Sequence, residues 1–193
     1  MKLAIVDVGC GNLGSVAIAF ERFGIAPTIT GEADEIASAD KVILPGVGAA
    51  GYAMEEIDAR GLRGPLRALK QPVLGICLGM QLLFERSEEE DTVCLGIIQG
   101  GVRKLEPAPG MPVPHMGWSS LDVRQQGLGL QSGDYVYFAH SFACDHGRHS
   151  VATAEYGRPI PAVVRSGNYL GAQFHPERSG EAGARFLKAF LAS

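Results

Sequence analysis

The stretch Pro72-Val73-Leu74-Gly75-Ile76-Cys77-Leu78-Gly79-Met80-Gln81 decides the reading of this chain. Val73 to Ile76 is an apolar run of strand length, and Leu78 to Arg86 follows with a helical pattern. Between them Gly75, Cys77 and Gly79 alternate. A strand, a Gly-x-Cys-x-Gly turn and a helix make a nucleophile elbow with sulfur in place of oxygen. The glycines permit a sharp turn without a Cβ clash. Such a turn lifts Cys77 out at the carboxyl end of the sheet. It also aims the first helical N–H groups at the sulfur, where the positive end of the helix dipole favours thiolate over thiol. A buried cysteine at a sheet edge fits the same letters, so the elbow needs support from elsewhere.

Working outward, the first half alternates short apolar runs with amphipathic stretches. Lys2 to Val8, Ala26 to Thr30 and Lys41 to Leu44 read as strands. Asn12 is placed to cap a helix running to Phe23, with Gly24 just past its end. Tyr52 to Leu69 reads as a helix interrupted near Gly61 to Pro65. Strands that are apolar throughout and alternate with helices imply parallel pairing with helices on both faces. The second half predicts strands at Met116 to Val123, Tyr135 to Ala143, Val151 to Tyr156, Ala162 to Arg165 and Tyr169 to Phe174. A last helix covers Glu181 to Leu191. The expected fold is α/β: a mostly parallel central sheet with helices on both faces and an added antiparallel β meander. The acidic run Glu88 to Asp91 reads as a solvated helix end, and residues 88–112 carry little pattern.

Composition bounds these expectations. At 193 residues the chain has the length of one domain, taken as 1–193. With 46% hydrophobic and 20% charged residues it is not a disordered chain. The net charge of −4 and the lack of any basic run argue against nucleic-acid binding. No apolar stretch is long enough to span a membrane. The N-terminus reaches Asp7 after Leu3-Ala4-Ile5-Val6, too soon for a signal peptide, so a cytoplasmic protein is expected. The four cysteines, Cys10, Cys77, Cys94 and Cys144, form no Cys-x-x-Cys signature and are expected to be reduced. The 26 glycines are about twice the average usage, so many turns or close approaches are expected.

Three further motifs carry chemistry. Gln173-Phe174-His175-Pro176-Glu177 closes the last predicted strand. Pro176 restricts His175 to extended backbone, where residues two apart share a face. Glu177 is then placed to hold one ring nitrogen of His175 and leave the other free for a thiol. Alone, His-Pro-Glu also fits a capped turn; beside the elbow it completes a triad. Pro45-Gly46-Val47-Gly48 ends the third strand and can turn a backbone N–H toward a developing oxyanion, beside that of Leu78. A plain strand-to-helix turn is the alternative. Gly9-Cys10-Gly11-Asn12-Leu13-Gly14 follows a strand and opens a helix, with Glu32 near the end of the second strand. That is the context of a dinucleotide fingerprint, and equally of a tight turn.

Together, Gly-Ile-Cys-Leu-Gly-Met-Gln, Phe-His-Pro-Glu and Pro-Gly-Val-Gly make the chain resemble class I glutamine amidotransferases. Asp7 to Val16, Leu44 to Gly48, Pro114-His115-Met116-Gly117-Trp118 and Tyr137-Phe138-Ala139-His140-Ser141-Phe142 narrow the resemblance to the glutaminase-subunit family of imidazole glycerol phosphate synthase, in histidine biosynthesis. The resemblance implies hydrolysis of L-glutamine with Cys77 as nucleophile, His175 as base and Glu177 as its orienter. It implies an oxyanion neighbourhood at Gly48 and Leu78, and substrate contacts from Gln81, Ser141 and Phe142. It implies no metal, no cofactor and no dinucleotide at the glycine-rich first loop. It also implies a (β/α)8-barrel cyclase subunit as partner, forming a heterodimer and receiving the ammonia. Trp118, Tyr137 and Arg178 are the expected contacts with that partner, although a lone tryptophan also fits the core. Val8, Ser119, Phe142 and Arg178 differ from the residues common in the family. Two other classes remain at this stage: a stand-alone cysteine hydrolase of γ-glutamyl amides, and a non-catalytic nucleotide-binding subunit.

Overall fold

A computed structural model describes residues 1–9 and 11–193; Cys10, and with it part of the glycine-rich first loop, lies outside the described residues. The chain begins β1 (Leu3–Val6), α1 (Leu13–Glu21), β2 (Thr28–Thr30), α2 (Ala33–Ala37), β3 (Lys41–Leu44), α3 (Ala50–Ala59), α4 (Arg63–Ala68), β4 (Val73–Ile76) and α5 (Leu78–Gln81). There follow β5 (Phe84–Ser87), β6 (Thr92–Val93), β7 (Ile98–Lys104), β8 (His115–Val123), β9 (Tyr135–His140) and β10 (Phe142–Cys144). The chain closes with β11 (Ser150–Glu155), β12 (Pro159–Ser166), β13 (Tyr169–Ala172) and α6 (Gly180–Ala192). Among the described residues the strands form a nine-stranded sheet, ordered β2-β1-β3-β4-β13-β12-β11-β8-β9, and a four-stranded sheet, ordered β10-β7-β5-β6.

The large sheet is parallel from β2 to β13 and antiparallel from β13 to β9. This is the α/β architecture expected, with a mostly parallel part and added antiparallel strands. The inner parallel strands β1, β3 and β4 are buried on both sides, as their unbroken apolar runs require, while β2 at the edge is largely exposed. In β1, Leu3 and Ile5 face the core under α1 and α6, while Ala4 and Val6 face the core under α3 and α4. Fully burying side chains of this kind contributes about 1.5–3 kcal/mol each for the larger ones. Phe174 and Phe186 meet edge to face at 5.4 Å and lock α6 to the sheet.

The helix expected from Leu78 to Arg86 stops at Gln81, and Phe84–Ser87 is a strand. Leu82, Leu83 and Phe84 are all fully buried, so no polar face exists for an amphipathic helix. A short, wholly apolar run does not distinguish helix from strand by periodicity. Tertiary hydrogen bonds decide it: Leu95 N–H donates to the Leu82 carbonyl at 2.9 Å, and Ile98 N–H donates to that of Leu83 at 2.8 Å. The strand expected from Tyr135 to Ala143 divides at Ser141. There the chain leaves β9 in the large sheet and enters β10 in the small one. Both departures shape the site, because they bring Glu89 and the Ser141–Phe142 segment toward the elbow.

Candidate active site

Register explains why residues 98 positions apart can meet. β4 and β13 lie side by side and parallel, with Gly75 opposite Gly171 and Ile76 opposite Ala172. Cys77 N–H donates to the Ala172 carbonyl at 2.7 Å, so the chain leaving β13 runs along the elbow. Gln173 and His175 therefore follow beside Cys77, at the carboxyl ends of parallel strands where open α/β sheets bind their ligands.

The sharp turn expected at the elbow puts its strain on Cys77 itself. Cys77 has φ 54° and ψ −108°, a region that non-glycine residues rarely enter. Both glycines are required by contact. A Cβ on Gly75 would stand 2.6 Å from the Gly79 carbonyl oxygen, and one on Gly79 would collide with the Leu44 carbonyl. The end of β3 and the start of α5 thus interlock backbone to backbone. In contrast to the exposed elbow expected, Cys77 is only 6% exposed and joins the core under α6. Its sulfur sees the Ala139 carbonyl at 3.9 Å and the Gln173 amide nitrogen at 3.8 Å.

His175 Nδ1 lies 2.8 Å from Glu177 Oε1, and both side chains are almost fully buried. Burial pulls the His175 pKa down, but hydrogen bonds with Cys77 and Glu177, and their negative charge, outweigh it. The imidazole is carried up from 6.5 to about 10. Glu177 Oε2 is buried without a hydrogen-bond partner, so the carboxylate spends its single contact on His175.

A cleft of about 390 Å³ opens over this pair, bordered by Gly48, Leu78, Gln81, Ser141, Phe142 and Arg178 among others. Its size suits a small-molecule ligand. The Pro45–Gly48 loop packs on the elbow so closely that a Cβ on Gly46 would stand 2.9 Å from the Leu78 Cβ. Gly48 has φ +99°, a turn conformation suited to glycine. Leu78 opens α5, where helix geometry leaves N–H groups without intrahelical acceptors. Gln81, expected to touch substrate, donates instead to the Phe142 carbonyl at 2.8 Å and to Gln173 Oε1 at 3.0 Å. It therefore braces the Ser141–Phe142 wall while also bordering the cleft. Asn12, from the first loop, stands on the same cleft.

Two residues of the site were not assigned a role from sequence. Gln173 is fully buried between Gln81 and Cys77. Its place two residues before His175 in extended chain was the available signal. Glu89 belongs to the run expected to be a solvated helix end. It is half-buried, accepts from Ala50 N–H at the start of α3 at 2.8 Å, and borders the cleft. Desolvation raises its pKa, against the hydrogen bond from Ala50. Only the fold of β5 carries it there, so no local signal existed.

Of the expected partner contacts, Trp118 is 54% exposed rather than in the core. It meets Tyr137 edge to face at 6.0 Å, and the Arg178 guanidinium lies 5.2 Å from the Tyr137 ring centre. With Met116 and Tyr135 also exposed, β8 and the edge strand β9 present an apolar surface beside the cleft.

An α/β sheet that brings a cysteine elbow beside a His–Glu pair assembles the groups that nucleophilic cleavage of an amide requires. Residues 4–193 match the family model for glutamine amidotransferase class-I, and the chain belongs to that family. It is 48% identical over 192 residues to "Imidazole glycerol phosphate synthase subunit HisH" of Idiomarina loihiensis, covering 99% of this chain and 97% of that protein. It is 50% identical to the protein of the same name in Xanthomonas campestris pv. campestris, with 98% and 96% covered. A crystal structure titled as a glutamine amidotransferase superposes with a TM-score of 0.78 at 20% identity, over 98% of this chain and 97% of that one.

Proposed function

We propose that the chain is the glutaminase subunit of an imidazole glycerol phosphate synthase. It hydrolyses L-glutamine and delivers ammonia to a (β/α)8-barrel cyclase subunit in the cytoplasm. No helix of the described residues is long and apolar enough to cross a membrane. The observation that carries the reading is the strained Cys77 beside the buried His175–Glu177 pair, at the floor of a cleft.

The chemistry follows from these groups. Cys77 sulfur attacks the γ-carboxamide carbon of glutamine, and its proton resides on His175. The carbonyl oxygen becomes an oxyanion, stabilised by N–H groups at Leu78 and Gly48. His175 returns the proton to the nitrogen, the C–N bond breaks, and ammonia leaves a γ-glutamyl thioester on Cys77. Water, deprotonated by His175, attacks the thioester carbon; glutamate departs and the thiol is restored. Glu177 holds the imidazole in position and balances its charge throughout. The Ser141–Phe142 wall and the Glu89 carboxylate are suited to the amino-acid end of the substrate, Glu89 to its ammonium group.

Ammonia escaping into solvent would be protonated and lost, so the mouth of the cleft needs a cover. The exposed Met116, Trp118 and Tyr135 and the Arg178–Tyr137 pair supply a surface for one. This favours a channelled subunit over a stand-alone hydrolase. The test is ammonia release from glutamine by the chain alone and with the barrel subunit and its nucleotide ligand. Near-silence alone and strong release in the complex are expected. Full activity alone would identify a stand-alone hydrolase, and no release in either case would identify a non-catalytic subunit. Arg178→Ala should weaken association or activation while sparing Cys77 reactivity.

A further inference from the structure

Two buried histidines beside the cleft have no part in the reaction above. His115 on β8 is 3% exposed and His140 at the end of β9 is 5% exposed. They stand opposite each other in the β8–β9 pairing. His140 Nδ1 lies 2.7 Å from the Phe142 carbonyl oxygen. A carbonyl only accepts, so Nδ1 carries the hydrogen, and in the neutral ring Nε2 must then accept. That Nε2 lies 3.1 Å from His115 Nδ1, which is therefore the donor. His115 Nε2 is left to accept from the Ser119 hydroxyl at 2.9 Å. The chain of bonds has one direction only, from Ser119 through both rings to the Phe142 carbonyl. Burial lowers both pKa values to about 4, so both rings stay neutral and the direction is kept. The His115 ring is also stacked between Phe138, at 4.8 Å, and Tyr156, at 3.9 Å.

The carbonyl at the end of this chain is the one that Gln81 holds from the elbow helix at 2.8 Å. One oxygen is thus gripped from two sides, by α5 and by the β8–β9 pair, directly after the chain crosses between sheets at Ser141. We infer that His115, acting through His140, is a positioning residue that sets the Ser141–Phe142 peptide over Cys77 and so governs how tightly glutamine is held. This rests on the glutaminase reading. His115 touches no reacting atom, and its loss should weaken substrate capture without slowing the chemistry.

The full chain with its barrel partner allows a direct test. Saturable labelling of Cys77 by a diazoketone analogue of glutamine yields a half-saturation concentration and a maximal rate. Iodoacetamide, which needs no amino-acid cradle, reports the thiol itself. His115→Phe keeps a stacked ring and loses both hydrogen bonds. It should raise half-saturation about tenfold, as expected for one buried hydrogen bond broken. The maximal rate and the iodoacetamide rate should stay within about twofold, since the reacting groups are untouched. His115→Asn retains a donor near Nδ1 and should restore most of the affinity. Unchanged half-saturation in His115→Phe, a parallel fall in the iodoacetamide rate, or equal impairment in His115→Asn would each overturn the inference. If His115→Phe does not fold, His115→Leu carries the test, because it removes the same donor to His140 Nε2 with a smaller side chain. A rise in half-saturation supports the inference and an unchanged value overturns it. Wild-type labelling that never saturates would overturn the glutaminase reading and this inference with it.

Discussion

Replacing Glu177 with Gln isolates the orienting carboxylate. The side chain keeps its shape, and its 3% exposure leaves no room for water to compensate. Two things change. The negative charge that helps carry His175 up to about 10 disappears, so the imidazolium formed during attack is less stable. The amide also has to face one group each way. If its carbonyl accepts from Nδ1–H, its NH2 takes the place of Oε2, where no hydrogen-bond partner stands. If it turns over, it donates to Nδ1 and imposes the wrong tautomer. A hydrogen bond to a charged group contributes about 1.5–3 kcal/mol. By the relation of roughly 1.4 kcal/mol per tenfold, kcat/KM should fall about 10- to 150-fold. His175→Ala removes the base itself and should cost at least the 10²–10⁴-fold, roughly, typical of general acid–base catalysis. The assay is ammonia release by the full complex at saturating and limiting glutamine. The pH profile of Cys77 alkylation serves as a second readout. In Glu177→Gln the feature assigned to His175 should move to lower pH. A Glu177→Gln loss larger than the His175→Ala loss, or an unmoved pH profile, would refute the assigned roles.

Cysteine mapping should find label on Cys77 after a limiting dose of a glutamine-like electrophile. Burial raises the Cys94 thiol to about 11 and that of Cys144 well above its ordinary value; label mainly on either would remove Cys77 as nucleophile. The positive φ of Cys77 stores about 1–3 kcal/mol of strain. Cys77→Gly should therefore unfold at a higher urea concentration than Cys77→Ala, and the reverse order would show that no strain is held there. Stability should peak near pH 6.5. His115 and His140, lowered to about 4 chiefly by burial, contribute stability that is present above their unfolded value of 6.5 and lost as pH falls toward 4. Burial alone acts on His115, while His140 is lowered further by its titratable neighbours His115 and His175. His175, raised to about 10, contributes stability present below 6.5 and lost as pH climbs toward 10. Urea unfolding across that range checks both limbs, and a flat acid limb would contradict the buried neutral pair.

Much of this protein is written locally. Gly75, Cys77 and Gly79 specify an elbow because only glycine tolerates the backbone approaches at either side of the cysteine. His175, Pro176 and Glu177 specify an oriented imidazole within three residues, though not by the extended pairing expected: His175 is extended, and a 3-10 turn over Pro176–Arg178 brings the Glu177 carboxylate to the ring. Unbroken apolar strands announce a sheet covered on both sides, since a polar face would otherwise appear at every second residue. What lies beyond local reach depends on contacts between distant segments. The run Leu82 to Phe84 has no periodicity to read, and it turns out of the helix into β5 because Leu95 and Ile98 supply donors to Leu82 and Leu83. Glu89 reaches the cleft through that strand alone. Gln173 becomes part of the site because β13 pairs in register with β4. The grip on the Phe142 carbonyl needs α5, β8 and β9 together. Sequence by itself determined the Cys77 turn and the His175–Glu177 pair, because each is set within a few bonds of backbone. Tertiary structure alone decided what surrounds them, because hydrogen-bond partners and burial arise from neighbours that the order of residues does not name.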